Sequence, residues 1–385
     1  MRDFTSDTIK SISPSGIRKF FDIASKIKGC ISLGVGEPDF ETPWHITEEG
    51  IYALEHGKTF YTSNQGLKEL REAISLWDKE KYGLCYSADE VIVTVGGSEA
   101  VDIALRCCID PGDEVIVPDP SYVCYAPDVK LSGGVPVKIR LKAENEFRLT
   151  PEELESAITP KTKIVIINYP NNPTGAIMER EDLERIAEVI IKHDLLVISD
   201  EIYSELTYAG KHFSIGSLPE MRERTITVNG FSKSFSMTGW RLGYALAPLS
   251  IMEQMKKIHQ FAIMCASTAS QYAGIEALKR GENDVIKMRE EYDARRRYLL
   301  SEFKRLGIKC FEPKGAFYVF PYIGNYGKTS EEFATDLLQK EKVVVVPGTA
   351  FGESGEGFVR ISYAYSLSAL KEAIKRIENY LRSLK

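Results

Sequence analysis

The middle of the chain alternates short apolar runs with longer amphipathic stretches. The runs are VIVTV (91–95), EVIVP (114–118), KIVIIN (163–168), LLVISD (195–200) and TITVN (225–229). Continuous β-branched runs of this length are typical of strands buried on both faces. Between them, SEAVDIALRCCI (98–109) and REDLERIAEVIIKH (180–193) have the spacing of amphipathic helices. The pattern predicts an α/β fold with a mostly parallel central sheet that helices cover on both faces.

The pattern changes at about residue 284. A long charged helical stretch, DVIKMREEYDARRRYLLSEFKRLG, leads into the strand-like runs KGAFYVFPYI, VVVVPG and FVRISYAY. A final amphipathic helix is predicted from about residue 367. We therefore expect a large domain over residues 45–284, and a smaller α+β domain that combines residues 1–44 with residues 285–385.

Composition and charge narrow the functional classes. The chain has 385 residues, of which 43% are hydrophobic and 27% are charged, and its net charge is −6. No basic block or stripe indicates a nucleic-acid partner, and no apolar run approaches the ~20 residues that span a bilayer. The cysteines and histidines lack metal-ligand spacing. These features predict a cytoplasmic protein with no metal site and with neither nucleic acid nor membrane as a partner.

Candidate chemistry follows the strands, because active sites of parallel sheets lie beyond the carboxyl ends of the strands. After the first run, GGSEA (96–100) opens a helix. Free N–H groups at Gly97 and Ser98 would attract an anion such as phosphate. The same string also fits an ordinary capped helix.

Two further strand ends carry polar side chains. The string YPNNPTGA (169–176) either presents Asn172 to a site or forms a plain turn. In DEIY, Asp200 and Tyr203 stand where the next strand ends. A carboxylate at that position either holds a cationic ligand or caps the following segment.

The last run leads into VNGFSKSFSMTGWRLGYA (228–245), which places one lysine, Lys233, eight residues before one arginine, Arg241. Its glycines would allow the chain to fold back, so that both side chains reach one ligand. An amine, a guanidinium, a helix N-terminus and a nearby acid suit a ligand with an aldehyde, a phosphate and a basic nitrogen. Pyridoxal 5'-phosphate has all three groups.

The ordered strings GGSEA, NNPTG, DEIY, SKSFSMTGWR and FVR resemble the class I/II (fold-type I) pyridoxal-phosphate-dependent aminotransferases, across essentially the whole chain. The similarity is greatest to the subgroup with aspartate, aromatic and N-acetyl-diaminopimelate aminotransferases. It implies transfer of an amino group from an L-amino acid, either aromatic or aspartate, to a 2-oxo acid such as 2-oxoglutarate. Another enzyme of the same fold, such as a C–S β-lyase, and an N-acetyl-diaminopimelate aminotransferase remain alternatives.

The resemblance also implies roles for individual residues. Lys233 would bind the cofactor covalently and move a proton at the substrate Cα, which needs an amine of lowered pKa. Asp200 would pair with the pyridine nitrogen, and Tyr203 would hydrogen-bond the ring's phenolic oxygen together with Asn172. The implied cofactor-binding set is Lys233, Gly97, Ser98, Tyr122, Asn172, Asp200, Tyr203, Arg241 and Tyr61.

The remaining implied roles concern the phosphate, the stacking ring and the substrate. Arg241 would hold the phosphate, and Tyr122 would stack on the pyridine face. Tyr61 would reach the phosphate of a neighbouring subunit, so the resemblance implies a homodimer with shared active sites. Arg360, in FVR, would grip the substrate carboxylate with its planar fork. The implied substrate-binding set is Gly36, Asn172 and Arg360.

Two positions depart from the family pattern. Many members carry a phosphate-binding serine three residues before the lysine, where this chain has Gly230. Some aspartate-using members carry a lysine after the glycine pair, where this chain has Ser98. Arg18 is a candidate for reading a distal carboxylate in its place, and a surface arginine is the alternative reading.

Overall fold

The computed structural model describes residues 2–14, 16, 27 and 29–384. Its centre is a seven-stranded sheet. In chain order the strands are β2 (Val91–Thr94), β3 (Glu114–Asp119), β4 (Val135–Arg140), β5 (Thr162–Asn168), β6 (Leu196–Asp200), β7 (Thr225–Gly230) and β8 (Gly243–Leu246). Their spatial order is β2-β8-β7-β6-β5-β3-β4, and within this sheet only β8 runs against the others. The predicted mostly parallel sheet is therefore confirmed.

All five apolar runs form strands of this sheet, and two strands were not predicted. Strand β4 lies at the edge of the sheet, and only one of its six residues is buried, so it lacks a continuous apolar run. Strand β8 is fully buried, but it lies inside the glycine-rich stretch that follows β7. Only its pairing with both β2 and β7 makes it a strand.

Helices cover both faces of the sheet. Successive residues of β5 show this, because Ile164 and Ile166 enter one hydrophobic cluster while Val165 and Ile167 enter another. The helices are α1 (Asp7–Lys10), α2 (Trp44–Glu55), α3 (Lys68–Tyr82), α4 (Gly97–Cys108), α5 (Tyr125–Leu131), α6 (Pro151–Ala157), α7 (Arg180–Lys192), α8 (Phe231–Ser234), α9 (Leu249–Ala262), α10 (Thr268–Arg280), α11 (Glu282–Leu306), α12 (Ser330–Glu341) and α13 (Leu367–Ser383). Within the described ranges, none of them combines the length and apolar character needed to cross a bilayer.

The C-terminal part of the chain builds a second, smaller layer. Strands β11 (Val346–Pro347), β12 (Val359–Ser362) and β9 (Tyr318–Val319) form an antiparallel sheet in that order. Early in the chain, β1 (Ile31–Ser32) pairs in parallel with β10 (Val343–Val344). The N-terminal segment around β1 thus contacts the C-terminal part.

Candidate active site

A cleft of about 270 Å³ opens beyond the carboxyl ends of the central parallel strands. Asn168 ends β5, Asp200 ends β6, and Lys233 follows β7 within the short helix α8; all three line the cleft. Gly97 and Ser98, at the start of α4, line it as well. The sequence-based expectation that polar groups meet at this edge of the sheet agrees with this arrangement.

The stretch between β7 and β8 folds back on itself. Gly230 at the end of β7 pairs with Gly243 at the start of β8. Arg241 has a φ of 52°, a left-handed conformation that helps to turn the chain. A Cβ on Gly243 would lie 2.5 Å from the carbonyl carbon of Gly96, so a glycine is required for this close approach. As a result Lys233 and Arg241 line the same cleft.

The Lys233 amine is held in a setting that disfavours its charge. Its Nζ donates a hydrogen bond to the carbonyl oxygen of Gly36 at 2.7 Å. Burial lowers the pKa of Lys233 to about 8, opposed by the Glu37 carboxylate and assisted by the positive charges of Arg360 and Arg241. The Lys233 amine is therefore largely buried and loses its proton at a lower pH than an ordinary lysine does.

The Asp200 carboxylate has a donor on each oxygen. The Tyr125 hydroxyl donates to Oδ2 at 2.6 Å, and the Ile202 N–H donates to Oδ1 at 3.2 Å. Burial raises the pKa of Asp200, against the effect of these two hydrogen bonds. The Ile202 bond is a local contact with the backbone two residues further along the chain, and the same side chain also lines the cleft. Tyr125 was not anticipated.

The start of α4 forms an anion cradle. Its N-cap residue, Gly96, has a φ of 79° and makes no side-chain capping bond. A Cβ at Gly96 would lie 2.7 Å from the Arg241 Nη2, so a side chain there would fill the space beside the guanidinium. Ser98 and Arg241 thus border one space at a helix N-terminus, where the helix dipole favours an anion.

Arg360 on β12 forms the opposite end of the cleft and is only 2% exposed. Nη1 donates to Asn172 Oδ1 at 2.8 Å, and Nη2 donates to the Gly34 carbonyl at 2.5 Å. The guanidinium carbon lies 4.4 Å from the Tyr318 ring centroid and 4.6 Å from that of Phe351. The buried Nε has no hydrogen-bond partner within the described chain. Arg360 is therefore not a surface residue, and a buried cation among neutral partners suits an incoming carboxylate.

Tyrosine side chains close the cleft on its remaining sides. The hydroxyls of Tyr203 and Tyr318 lie 2.8 Å apart. Tyr122 lines the cleft, and burial raises its pKa to about 12, so it stays a neutral phenol. A Cβ at Gly36 would lie 2.2 Å from the Tyr318 hydroxyl, which explains a glycine there. Tyr318 was missed because KGAFYVF predicts only a strand.

Other lining residues also escaped the sequence analysis. Three of them carry no charge and belong to strings already examined for other residues: Asn168, Ser232 and Thr238. Asn168 ends a run that predicts a strand, and Ser232 and Thr238 lie in the stretch that was singled out for Lys233 and Arg241. No separate signal therefore marked these three residues.

Two exposed aromatic residues do not line this cleft. Tyr61 is 81% exposed and Phe261 is 87% exposed, and neither lines the cleft of its own chain. Arg18 lies outside the described residues. In the described chain, the positively charged side chains that line the cleft are Lys233, Arg241 and Arg360.

The departure at Gly230 has a steric reason. A Cβ at this position would lie 2.9 Å from the Gly243 Cα and 3.1 Å from the Leu242 carbonyl oxygen. A serine side chain would therefore meet the backbone of the paired strand. Because β8 lies so close, this chain has no room there for a phosphate-binding hydroxyl.

Comparison with known proteins agrees with this geometry. The profile of the family "Aminotransferase class I and II" matches residues 28–377. The chain is 49% identical to an aspartate aminotransferase of Pyrococcus abyssi over 99% of both chains. It is 47% identical to aromatic-amino-acid aminotransferase 2 of Thermococcus litoralis, again over 99% of both.

Solved structures give the same result for the fold. An aspartate aminotransferase from Thermus thermophilus with maleate superimposes with a TM-score of 0.94 at 39% identity, covering 98% of this chain and 100% of the other. Members of the matched family generally depend on pyridoxal phosphate. The chain belongs to the class I and II aminotransferases, enzymes that transfer an amino group from an amino acid to a 2-oxo acid.

Proposed function

We propose that this aminotransferase binds pyridoxal 5'-phosphate in the cleft, with Lys233 as its covalent attachment point. One observation carries the proposal. A buried amine of lowered pKa, a buried carboxylate and a helix-start anion cradle share one cavity of about 270 Å³. Bound pyridoxal phosphate supplies an electron-accepting ring that stabilises negative charge at the substrate Cα.

The residues present fit the cofactor group by group. The part of the cleft that Gly97, Ser98 and Arg241 line suits the phosphate, because the N–H groups at the helix start and the guanidinium both favour an anion. Asp200 suits the pyridine nitrogen, since a cation facing this buried carboxyl would offset the cost of its charge. Tyr122 would cover one face of the ring.

Within this arrangement Lys233 acts as the proton carrier. An amine with a pKa of about 8 is partly neutral at physiological pH, so it can accept a proton from the substrate Cα and return it later. Tyr203 and Asn172 would donate to the phenolic oxygen of the ring.

Arg360 would hold the substrate carboxylate and thereby orient the Cα toward Lys233. Its Nε is buried without a partner, so a carboxylate oxygen would satisfy a donor that is otherwise left unpaired. The backbone N–H of Gly36 would bind the same carboxylate. The Tyr318 and Phe351 rings lie against the guanidinium and would limit the access of water to it.

Borohydride trapping tests the attachment point. Protein incubated with pyridoxal phosphate, reduced and digested should give one modified peptide that contains Lys233. The variant Lys233→Ala should give none, while Lys211→Ala, which removes an exposed lysine, should be labelled like the wild type. Labelling spread over surface lysines with Lys233 unmodified would contradict the proposal.

We also propose a homodimer in which Tyr61 completes the partner's site. Support comes from the exposure of Tyr61 together with Phe60, Phe261 and Trp44, a group of large apolar side chains that a single chain leaves in water. Mixing Lys233→Ala with Tyr61→Ala subunits tests this. A mixed dimer would contain one site with both residues intact, so activity should recover; no recovery would place Tyr61 outside the partner's site.

For the amino donor we propose an aromatic amino acid in preference to aspartate. Ser98 occupies the position of the lysine that some aspartate-using relatives carry, Tyr122 lines the cleft, and the Tyr318 ring lies against Arg360. Single-turnover reactions with phenylalanine, tyrosine and aspartate would rank the donors. A faster reaction with aspartate would contradict this choice, and Arg18→Ala would then show whether that residue reads the second carboxylate.

We further propose that residues 45–284 and residues 1–44 with 285–385 are separate structural units. Support comes from the pairing of β1 with β10 and from the separate small sheet of β9, β11 and β12. Limited proteolysis with and without substrate would test the division.

A further inference from the structure

Tyr125 is a fully buried side chain that contacts two proposed cofactor-binding residues at once. It is the first residue of α5, and its hydroxyl donates to Asp200 Oδ2 at 2.6 Å. Its ring meets the ring of Tyr122 edge-to-face, with the centroids 5.7 Å apart. Tyr125 itself lies at the margin of the cleft and belongs to the hydrophobic cluster behind it.

We propose that Tyr125 is a positioning residue that fixes the Asp200 carboxylate and the Tyr122 ring around the pyridine ring of the bound cofactor. This inference rests on the proposed function, because it concerns how the same site treats the ring nitrogen. The geometry assigns one side chain to two walls of the site. A shift of Tyr125 would move both walls together.

The Tyr125 hydroxyl would also decide whether the Asp200 carboxyl accepts a hydrogen bond from the ring nitrogen or donates one to it. Oδ1 already accepts from the Ile202 N–H, so Tyr125 supplies the donor on the other oxygen. Burial favours the neutral form of this carboxyl, and donors favour the charged form. With Tyr125 in place Asp200 would act as an acceptor and would favour a protonated ring nitrogen. Without it, a neutral Asp200 would itself donate, and the ring would accept electrons less well.

The Tyr125 phenol is suited to this role because it stays protonated. Burial and the neighbouring Asp200 charge raise its pKa well above the ordinary value of a tyrosine. A hydroxyl that does not ionise remains a donor over the working pH range of the enzyme. The contact with Tyr122 restrains the ring of Tyr125 from the other side.

The test uses the cofactor-loaded enzyme with pyridoxal phosphate that is ¹⁵N-labelled in the ring. In the wild type, the ¹⁵N chemical shift should be that of a protonated ring nitrogen. In Tyr125→Phe it should move toward the unprotonated value. The control Tyr86→Phe removes another buried hydroxyl, which donates to the Arg222 carbonyl at 2.9 Å, and should leave the shift unchanged.

Kinetics separate positioning from general destabilisation. In single-turnover reactions Tyr125→Phe should lower the maximal rate roughly tenfold, the factor that corresponds to one ordinary hydrogen bond. The affinity for the amino-acid substrate should change less than about twofold. An unchanged ¹⁵N shift with an unchanged rate would overturn the inference. Wild-type protein that binds no pyridoxal phosphate would instead overturn the proposed function, and the inference with it.

A second substitution covers the case in which Tyr125→Phe does not fold. Fluorinated tyrosines at position 125 keep the volume of the side chain and make the phenol a progressively stronger donor. Because the same fluorine atoms make the phenol more acidic, it should lose its donated proton at a progressively lower pH, and the ¹⁵N shift should then leave the protonated value at a progressively lower pH. A shift that stays at the protonated value across the pH range with tyrosine and with every analogue would contradict the assignment.

Discussion

The two ends of the cleft are built in different ways. At the Lys233 end, the functional groups stand at the ends of neighbouring strands of one sheet, and they reach the cleft over short stretches of chain. At the Arg360 end, Arg360 is on a strand of the small sheet. It donates to the Gly34 carbonyl in the N-terminal part of the chain and to the side chain of Asn172, which follows strand β5 of the large sheet. Each group of the first end thus stands next to a strand or helix end of the large sheet's layers, whereas the Arg360 end joins segments up to 326 residues apart.

This difference corresponds to a division of labour. In the Lys233 end the backbone is crowded, with glycines at the contacts between β7, β8 and the start of α4. In the Arg360 end a buried cation keeps one donor free and is surrounded by rings. We infer that the first end is shaped to hold one fixed cofactor, and that the second accepts and releases changing substrates.

The largest expected effect is that of Lys233→Ala. Removing the proton carrier and the attachment point should lower kcat by at least about 10⁴-fold, the upper range for loss of acid–base catalysis. Steady-state assays with saturating pyridoxal phosphate measure this. Lys211→Ala, at an exposed position, should retain wild-type kcat. A fall in kcat of less than tenfold for Lys233→Ala would contradict the assignment of the proton carrier to this end of the cleft.

Next in size is Arg360→Lys, which keeps the charge and loses the planar fork. The donor KM should rise about 10- to 100-fold, because a charge-assisted bidentate contact becomes a single one. Cofactor binding, followed by absorbance, should stay close to that of the wild type. Arg106→Lys alters an exposed ion pair with Asp102 and serves as the matched control. A cofactor defect in Arg360→Lys would show that the ends are not independent.

A smaller effect is expected from Gly230→Ser, which installs the hydroxyl that many relatives carry. The added side chain would press on the backbone of Gly243, so the free energy of unfolding should fall by about 1–3 kcal/mol. Thermal or denaturant unfolding measures the change. Gly239→Ser, where a Cβ meets nothing within 4 Å, is the control in the same stretch. Equal stability of both variants would contradict the steric reading.

The smallest expected effect concerns pH. Because the pKa of Lys233 is lowered to about 8, the neutral amine becomes available as pH rises through that value, and the rate of pyridoxal phosphate uptake should rise and then level off. Glu37 opposes this lowering, so Glu37→Gln should move the inflection to lower pH. Stopped-flow uptake across a pH series measures both. An inflection that moves to higher pH in Glu37→Gln would contradict the expected effect of the Glu37 carboxylate on the pKa of Lys233.

Much of the Lys233 end could be predicted from the sequence. Apolar runs gave the strands, and parallel strands bring the residues that follow them to one edge. Asp200, Lys233 and Arg241 therefore lie in one cleft, as expected. Tyr125 was not predicted, since its hydrogen bond to Asp200 joins α5 to a strand end 75 residues away.

The sequence by itself determined five of the seven strands of the central sheet, four of the helices and the chemical character of the strand ends, because hydrophobic periodicity and glycine placement are local properties. Only the tertiary structure decided that Arg360 is buried, that Tyr318 and Tyr125 support the cleft, and that Gly230 leaves no room for a serine. These facts depend on contacts between distant segments. Such contacts are set by side-chain packing, which no local pattern encodes.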